Sequence, residues 1–202
     1  MPILLFVRHG ETDWNRSGRV MGDQAIPLNE AGERQARACA EILSCTPITG
    51  IFTSPVLRAV QTAEIVCGPH EVPLQRLAGL SEIGVGHWIN RYWKDFADDP
   101  AKRDWYAQPD LARPSGGETL REVQRRAVAA VEAVIKCLQD RPYVFVSHGD
   151  VIRAILAHYL HLDLAVTRHA RIDHASVSGL ELIDHAAQLL FLNHRPGLDR
   201  LL

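Results

Sequence analysis

Little in this 202-residue chain points to a specialised environment. It has four cysteines, Cys39, Cys45, Cys67 and Cys137, without metal-ligand spacing, so a reduced, cytoplasmic protein is expected. No apolar run approaches the ~20 residues of a membrane span, and nothing at the N-terminus reads as a signal peptide, so no membrane association is expected. Neither sign of charge is in excess. The 22 basic and 24 acidic residues leave a formal charge of -2, which provides no global field for nucleic acid or anionic lipid. Any anion site must therefore be local. Repeats, low-complexity tracts and interdomain linkers are absent too. With 47% hydrophobic and 23% charged residues, the expectation is one domain over 1–202.

What the chain does contain is the same strand ending twice. In "ILLFVRHGET" the apolar run Ile3 to Val7 stops at Arg8, His9 and Gly10. In "YVFVSHGDVIRAILAHYL" the run Tyr143 to Val146 stops at Ser147, His148 and Gly149, and a helix follows at once. Both histidines are thus expected at the carboxyl ends of buried strands, where open parallel sheets bind ligands.

Between them, Asn29 is expected to cap a helix over "EAGERQARACAEIL", and "ITGIFTS" to form a strand. Ser54 and Pro55 are expected to open a helix as N-cap and first-turn proline. "EVPLQRLAGL" reads as a third strand leading to Ser81 and Glu82. Around 84–108 periodicity weakens and Trp88, Tyr92, Trp93, Phe96, Trp105 and Tyr106 crowd in, as expected of a loop-rich insertion with short helices. Packing under the insertion is the ordinary reading of these aromatics and a substrate lid the sharper one. A capping box, Thr119 to Glu122, precedes a helix with Leu120, Val123, Ala127, Val131, Val134 and Leu138 on one face. "SVSGLELI" and "QLLFLNH", joined by "DHAA", close the chain as a hairpin. Strands alternating with helices predict an α/β fold, a mostly parallel sheet with helices on both faces.

Post-strand loops would then bring Arg8, His9, Arg58, Glu82 and His148 to one rim. Alone, each residue has a bland reading as a satisfied or solvated polar group. Together they suit phosphoryl transfer. Arginine forks bind phosphate, a neutral imidazole attacks phosphorus, and a carboxylic acid protonates the departing oxygen. No acidic triplet or Walker-type glycine loop appears, so the positive charge that a metal often provides is expected from the arginines and a second histidine. His158 and His161, three apart, are the alternative metal ligands, with exposure near a helix end the ordinary reading.

The motifs "VRHGETDWN", "GRVMGDQAIPLNEAGERQA", "FTSPVLRAVQTA", "LSEIGVGHW", "SGGETLREV" and "VSHGDVIRAIL", in this order over nearly the whole chain, resemble the histidine phosphatase superfamily, also called phosphoglycerate mutase-like. The resemblance implies a three-layer α/β/α sandwich with no metal or organic cofactor, and His9 as phosphate acceptor. It also implies a phosphate pocket of Arg8, Arg58 and His148, with Asn15 as an additional contact and Glu82 as proton donor. The expected activity is metal-independent hydrolysis of a small phosphorylated metabolite through a phosphohistidine. The alternatives are a cofactor-dependent mutase and an inactive phospho-ligand binding module, and a homodimer is left open. Two positions depart from the family pattern. Ile89 and Asn90 follow Trp88 where "WEG" is frequent, and Ala25 replaces a common aspartate before "IPL".

Overall fold

The computed structural model describes residues 2–136, 141–183 and 186–196. Its strands are β1 (Ile3–Arg8), β2 (Gly50–Thr53), β3 (Leu74–Arg76), β4 (Pro142–Ser147), β5 (Val177–Ile183) and β6 (Ala186–His194). Its α-helices are α1 (Asp13–Ser17), α2 (Glu30–Leu43), α3 (Leu57–Cys67), α4 (Pro100–Ala107), α5 (Leu120–Ile135) and α6 (Gly149–Tyr159). The strands form one sheet in the order β3-β2-β4-β1-β5-β6, with β3, β2, β4 and β1 parallel and β5 and β6 added antiparallel.

Side chains alternate across a strand, so a run that is apolar throughout must be covered on both faces. Leu4 and Phe6 of β1 and Tyr143 and Phe145 of β4 enter one core, with Val123, Ala127 and Val131 of α5 and Ile152 and Ile155 of α6. Leu5, Val7, Val144 and Val146 enter a second core, with Cys39 and Leu43 of α2 and Ala59, Ala63 and Val66 of α3. Two cores on opposite faces of one sheet give the expected three layers.

Among the described residues, four of the six α-helices start on a side-chain cap, and α3 and α6 do not. Asn29 accepts from Gly32 N at 2.8 Å, and Thr119 and Glu122 close the expected capping box. The third helix begins later than expected, at Leu57, and its N-cap position, Val56, has no side-chain cap. Ser54 stays outside the helix, its hydroxyl accepting both from Val56 N at 3.2 Å and from His148 Nε2 at 2.8 Å. The third strand is shorter than its apolar run and passes into a 3-10 turn at Ala78–Leu80. In the aromatic segment Trp88, Phe96 and Trp105 are buried against one another and the α5 side of the core, so for them the packing reading holds. Leu138, Cys137 and the first half of "DHAA" lie outside the described residues.

Candidate active site

Parallel pairing in register brings the two histidines together. Arg8 pairs with Ser147 across β1 and β4, and His9 N donates to Ser147 O at 3.0 Å. Their rings consequently stand 5.1 Å apart, both buried. The glycine after His9 answers to packing. A Cβ on Gly10 would lie 2.4 Å from Gly32 O, and one on Gly32 would lie 2.0 Å from Glu11 O, so only paired glycines let the start of α2 seat beneath this loop.

Arg58, on α3 and fully buried, ties the site together. Its Nε donates to His9 Nε2 at 3.2 Å and its Nη2 to His148 Nδ1 at 3.3 Å, while Nη2 also lies 3.6 Å from Glu82 Oε2. The carbonyls of Gly22, at 2.8 Å, and Gln24, at 3.1 Å, hold the far side of the guanidinium. A carbonyl only accepts, so the 2.7 Å contact of His9 Nδ1 with Gly10 O puts the ring proton on Nδ1 and leaves Nε2 as the lone-pair nitrogen. His148 Nδ1 accepts from Arg58, which leaves its Nε2 proton for Ser54 Oγ, 2.8 Å away.

Glu82 enters from the loop after the turn at Ala78–Leu80. Its Oε1 accepts from Ile83 N at 2.9 Å, and its Oε2 lies 3.5 Å from His148 Nδ1. Arg126 of α5 holds this loop in place. It donates to the carbonyls of Gly79, Ser81 and Glu82 at 2.7, 2.8 and 3.1 Å and pairs with Glu118 at 2.8 Å. Asn15 spends its Oδ1 on Thr12 N and Thr12 Oγ1 at the start of α1, so its amide NH2 is the donor it offers to the cavity it lines.

Burial and the neighbouring cations Arg58 and Arg8 push His9 and His148 well below the ordinary imidazole range, which favours the neutral form of both. Glu82 shifts the other way. Burial raises it, with Asp150 adding to the rise against the opposing pull of Arg58, and its acid form is favoured. The arginines remain cations even though burial lowers both. A neutral nucleophile, a carboxyl group shifted toward its acid form and two fixed positive charges are therefore brought together.

Two of these groups, Arg8 and Glu82, also line a cavity of about 250 Å³ open to solvent. Gly149, Arg19, Trp93, Tyr106, Asp150 and Arg153 line it with them. The segment that departs from the family pattern shapes its wall. Asn90 takes a left-handed φ of +69°, a conformation asparagine tolerates better than most residues after glycine, and Arg19 Nε donates to its carbonyl at 3.3 Å.

The sequence-derived residues Arg8, His9, Arg58, Glu82 and His148 thus converge, and Asn15 joins them at the cavity wall. Sequence reasoning missed Ser54, Arg126, Asp150, Arg153 and His174. Ser54 carried a signal, since it directly follows a strand aimed at the same rim. His174 carried none that was local. Its Nε2 lies 2.9 Å from Arg8 Nη2 and its ring 5.7 Å from that of His9.

Among the described residues, His9, Glu82 and His148 have donor atoms all within 4.8 Å of one another, a set that matches a metal's preferences. Arg58 lies within 3.6 Å of all three groups, and a dication would meet its charge and that of Arg8. An anion fits there better than a cation. The alternative pair is not built as a metal site. His158 is exposed, 3.8 Å from Glu132, and His161 is exposed beyond the end of α6.

Comparison with known proteins gives the same picture. The model of the "Histidine phosphatase superfamily (branch 1)" matches residues 4–195. A metal-independent phosphoserine phosphatase of Arabidopsis thaliana is 34% identical over 187 residues, 90% of this chain and 76% of its own length. A 2,3-bisphosphoglycerate-dependent phosphoglycerate mutase 2 of Gloeobacter violaceus is 32% identical over 170 residues, 80% of this chain and 77% of its own. The solved structure of a mycobacterial glucosyl-3-phosphoglycerate phosphatase complexed with VO3 has a TM-score of 0.87 at 30% identity, covering 95% of this chain and 98% of that one.

Proposed function

The chain belongs to the histidine phosphatase superfamily, and on that premise we propose that it is a phosphoric monoester hydrolase that passes a phosphoryl group from a small metabolite to His9 and then to water. The observation that carries this reading is the His9 Nε2 lone pair, backed by the proton on Nδ1 and held only by Arg58 at 3.2 Å. In the first step the Nε2–P bond forms as the P–O bond to the leaving group breaks, and Glu82 gives its proton to the departing oxygen. In the second, the Glu82 carboxylate takes a proton from water, whose oxygen attacks phosphorus and releases neutral His9.

Arg8, Arg58, His148, the Asn15 amide and the first N–H groups of α6 supply the charge and hydrogen bonds for the phosphoryl oxygens, so no metal is required. A phosphate dianion bound beside His148 favours its protonated form, which turns Nδ1 into a further donor. The relatives reported above are named for phosphoserine, phosphoglycerate and glucosyl-3-phosphoglycerate. A monoester on a small carboxylic-acid scaffold is accordingly the substrate class we infer, supported by Arg19 and Arg153 lining the cavity alongside Arg8 and Glu82.

Turnover of phosphoserine, 3-phosphoglycerate and p-nitrophenyl phosphate in ¹⁸O-water with chelator present tests the reading. Label is expected in released phosphate, with an acid-labile phosphoenzyme that disappears in His9→Ala. Rapid isomerisation of 3-phosphoglycerate with negligible phosphate release would establish the mutase instead. Persistent turnover by His9→Ala would exclude the covalent route.

We propose a cytoplasmic location on the free thiols of Cys39, Cys45 and Cys67. A homodimer is supported by β6. It is the edge strand and exposes Leu189, Leu190, Phe191 and Leu192, with no charged residue along Ala186–His194 to repel a second copy pairing antiparallel. Light scattering that returns only the monomer mass at micromolar concentration excludes it.

A further inference from the structure

Arg8 is the phosphate-facing residue with the least obvious support. Arg58 is braced by two carbonyls on its far side, whereas Arg8 ends a strand and projects into the rim of the site. Its Nη1 donates to Ile172 O at 2.7 Å, its Nη2 meets His174 Nε2 at 2.9 Å, and its Nε has no partner among the described residues. That Nε faces the start of α6, where a Cβ added to Gly149 would lie 3.6 Å from it. The guanidinium is therefore gripped along one edge by the loop before β5 and offers the other edge to the cavity.

We propose that His174 is a positioning residue for the phosphoryl-transfer reaction, an uncharged imidazole whose Nε2 accepts from Arg8 Nη2 and sets the guanidinium at the angle that receives phosphate. The proposal rests on the hydrolase reading of the same site. A guanidinium only donates, so this contact requires the ring proton on Nδ1 and an unprotonated Nε2. A protonated ring would instead set two cations 2.9 Å apart.

The loop is built to aim this ring. Before it, Asp173 is fixed by Asn193, with Asp173 N donating to Asn193 Oδ1 at 2.6 Å and Asn193 Nδ2 to Asp173 Oδ2 at 3.0 Å. Arg171 and Arg195 also pair with Asp173, at 2.7 and 3.2 Å. After it, Ala175 N donates to Arg8 O at 2.9 Å, and Ala175 adopts a left-handed φ of +53°, a strained conformation for a residue with a Cβ. With both neighbours anchored, the backbone that carries His174 is held on each side. Its ring lies tilted at 46° to that of His9 with centroids 5.7 Å apart, so it borders both the nucleophile and the phosphate clamp.

The surrounding charges favour the uncharged form. Burial and Arg8 pull its pKa down to about 4, with Arg58 adding to the fall and Glu11 and Asp173 opposing it. Arg34 of α2 and Arg195 after β6 line the surface groove that His174 also lines. His9 is uncharged as well, so the two imidazoles beside Arg8 add no positive charge to the grip.

Two substitutions separate the acceptor from the bulk of the ring. His174→Gln places Oε1 near the position of Nε2 and cannot titrate, whereas His174→Phe keeps the ring against His9 and removes the acceptor. Inorganic phosphate affinity by calorimetry and kcat/KM with p-nitrophenyl phosphate are the two readouts, each at pH 7. We expect His174→Gln to stay within about threefold of wild type in both. His174→Phe should lose about tenfold or more in phosphate affinity and in kcat/KM, with its melting temperature close to wild type. If the phenyl ring crowds Arg8 and unfolds the protein, His174→Leu removes the acceptor with less bulk and carries the same expectation. Wild-type values in the folded acceptor-free variant overturn the proposal, and so does an equal loss in His174→Gln. A wild-type protein that binds phosphate but hydrolyses no ester would refute the hydrolase reading, while the calorimetric comparison would still decide the role of His174.

Discussion

Replacing Arg58 with lysine keeps one positive charge and discards the planar fork, and with the fork the contacts that depend on it. The guanidinium reaches in separate directions to Gly22 O at 2.8 Å, Gln24 O at 3.1 Å, His9 Nε2 at 3.2 Å and His148 Nδ1 at 3.3 Å. A lysine Nζ is a single point with three donors and cannot span them. At least one buried carbonyl loses its partner, which costs about 1–3 kcal/mol of stability. In a protein of this size that corresponds to a fall in Tm of roughly 2–12 °C. On the catalytic side, losing one charge-assisted bond to the transferring phosphoryl group removes about 1.5–3 kcal/mol, a decrease in kcat/KM of roughly 10- to 150-fold. Steady-state kinetics on p-nitrophenyl phosphate, with calorimetry or circular dichroism for the melt, measure both quantities on one sample. A folded Arg58→Lys with kcat/KM within twofold of wild type would refute the assignment of Arg58 to the phosphate pocket.

Glu82→Gln removes the proton donor while keeping the shape of the side chain. Turnover of alkyl esters such as phosphoserine should fall by about 10²- to 10⁴-fold, and phosphorylation of His9 by p-nitrophenyl phosphate, measured by its burst, should fall far less. Because burial raises Glu82, its acid form persists upward in pH. The wild-type alkyl-ester rate should therefore decline as pH rises through that raised value, a limb the variant lacks, and equal slowing of both substrates would exclude the acid role. The buried histidines set a stability profile as well. His9, His148 and His174 are lowered in the folded state, so below about pH 6.5 the unfolded chain binds more protons and stability falls with pH. Glu82, raised, opposes with one proton, and each uncompensated proton contributes about 1.4 kcal/mol per pH unit. Denaturant melts at pH 7 and 5 should show this loss, and a flat profile would mean the histidines are not held neutral.

The parts of the site that were legible in the sequence are those where one local pattern determines both position and chemistry. An apolar run that ends in histidine and glycine places a ring at a strand end, and two such runs of matching length place two rings side by side once the strands pair in register. Arg58 and Glu82 were placed at the rim by the loops that follow strands, because a helix arginine or a loop glutamate has no local mark of burial, and Asn15 through motif order. Ser54 was misread for a definite reason. "TSP" fits a helix start, yet the helix begins only at Leu57, and the hydroxyl that accepts from Val56 N at 3.2 Å also meets His148 at 2.8 Å. One side-chain oxygen thus serves both the turn into α3 and the site, and only the first role is a local pattern.

His174 marks the limit of that legibility. It lies 166 positions from Arg8 and follows a 3-10 turn, in a loop closed locally by Ser176 on Asp173 and tied to distant Asn193 and the backbone of Arg8. Periodicity and capping say little about where such a loop is aimed, because its long-range anchors lie far along the chain. The same logic governs Arg126, read from the sequence only as part of an amphipathic helix, which holds the Glu82 loop through three backbone carbonyls. Both residues act on groups that motif reading had already found. Strand ends thus fix where the reacting groups emerge, and long-range hydrogen bonds fix the angles at which they meet. Only the first of these is written in short stretches of sequence.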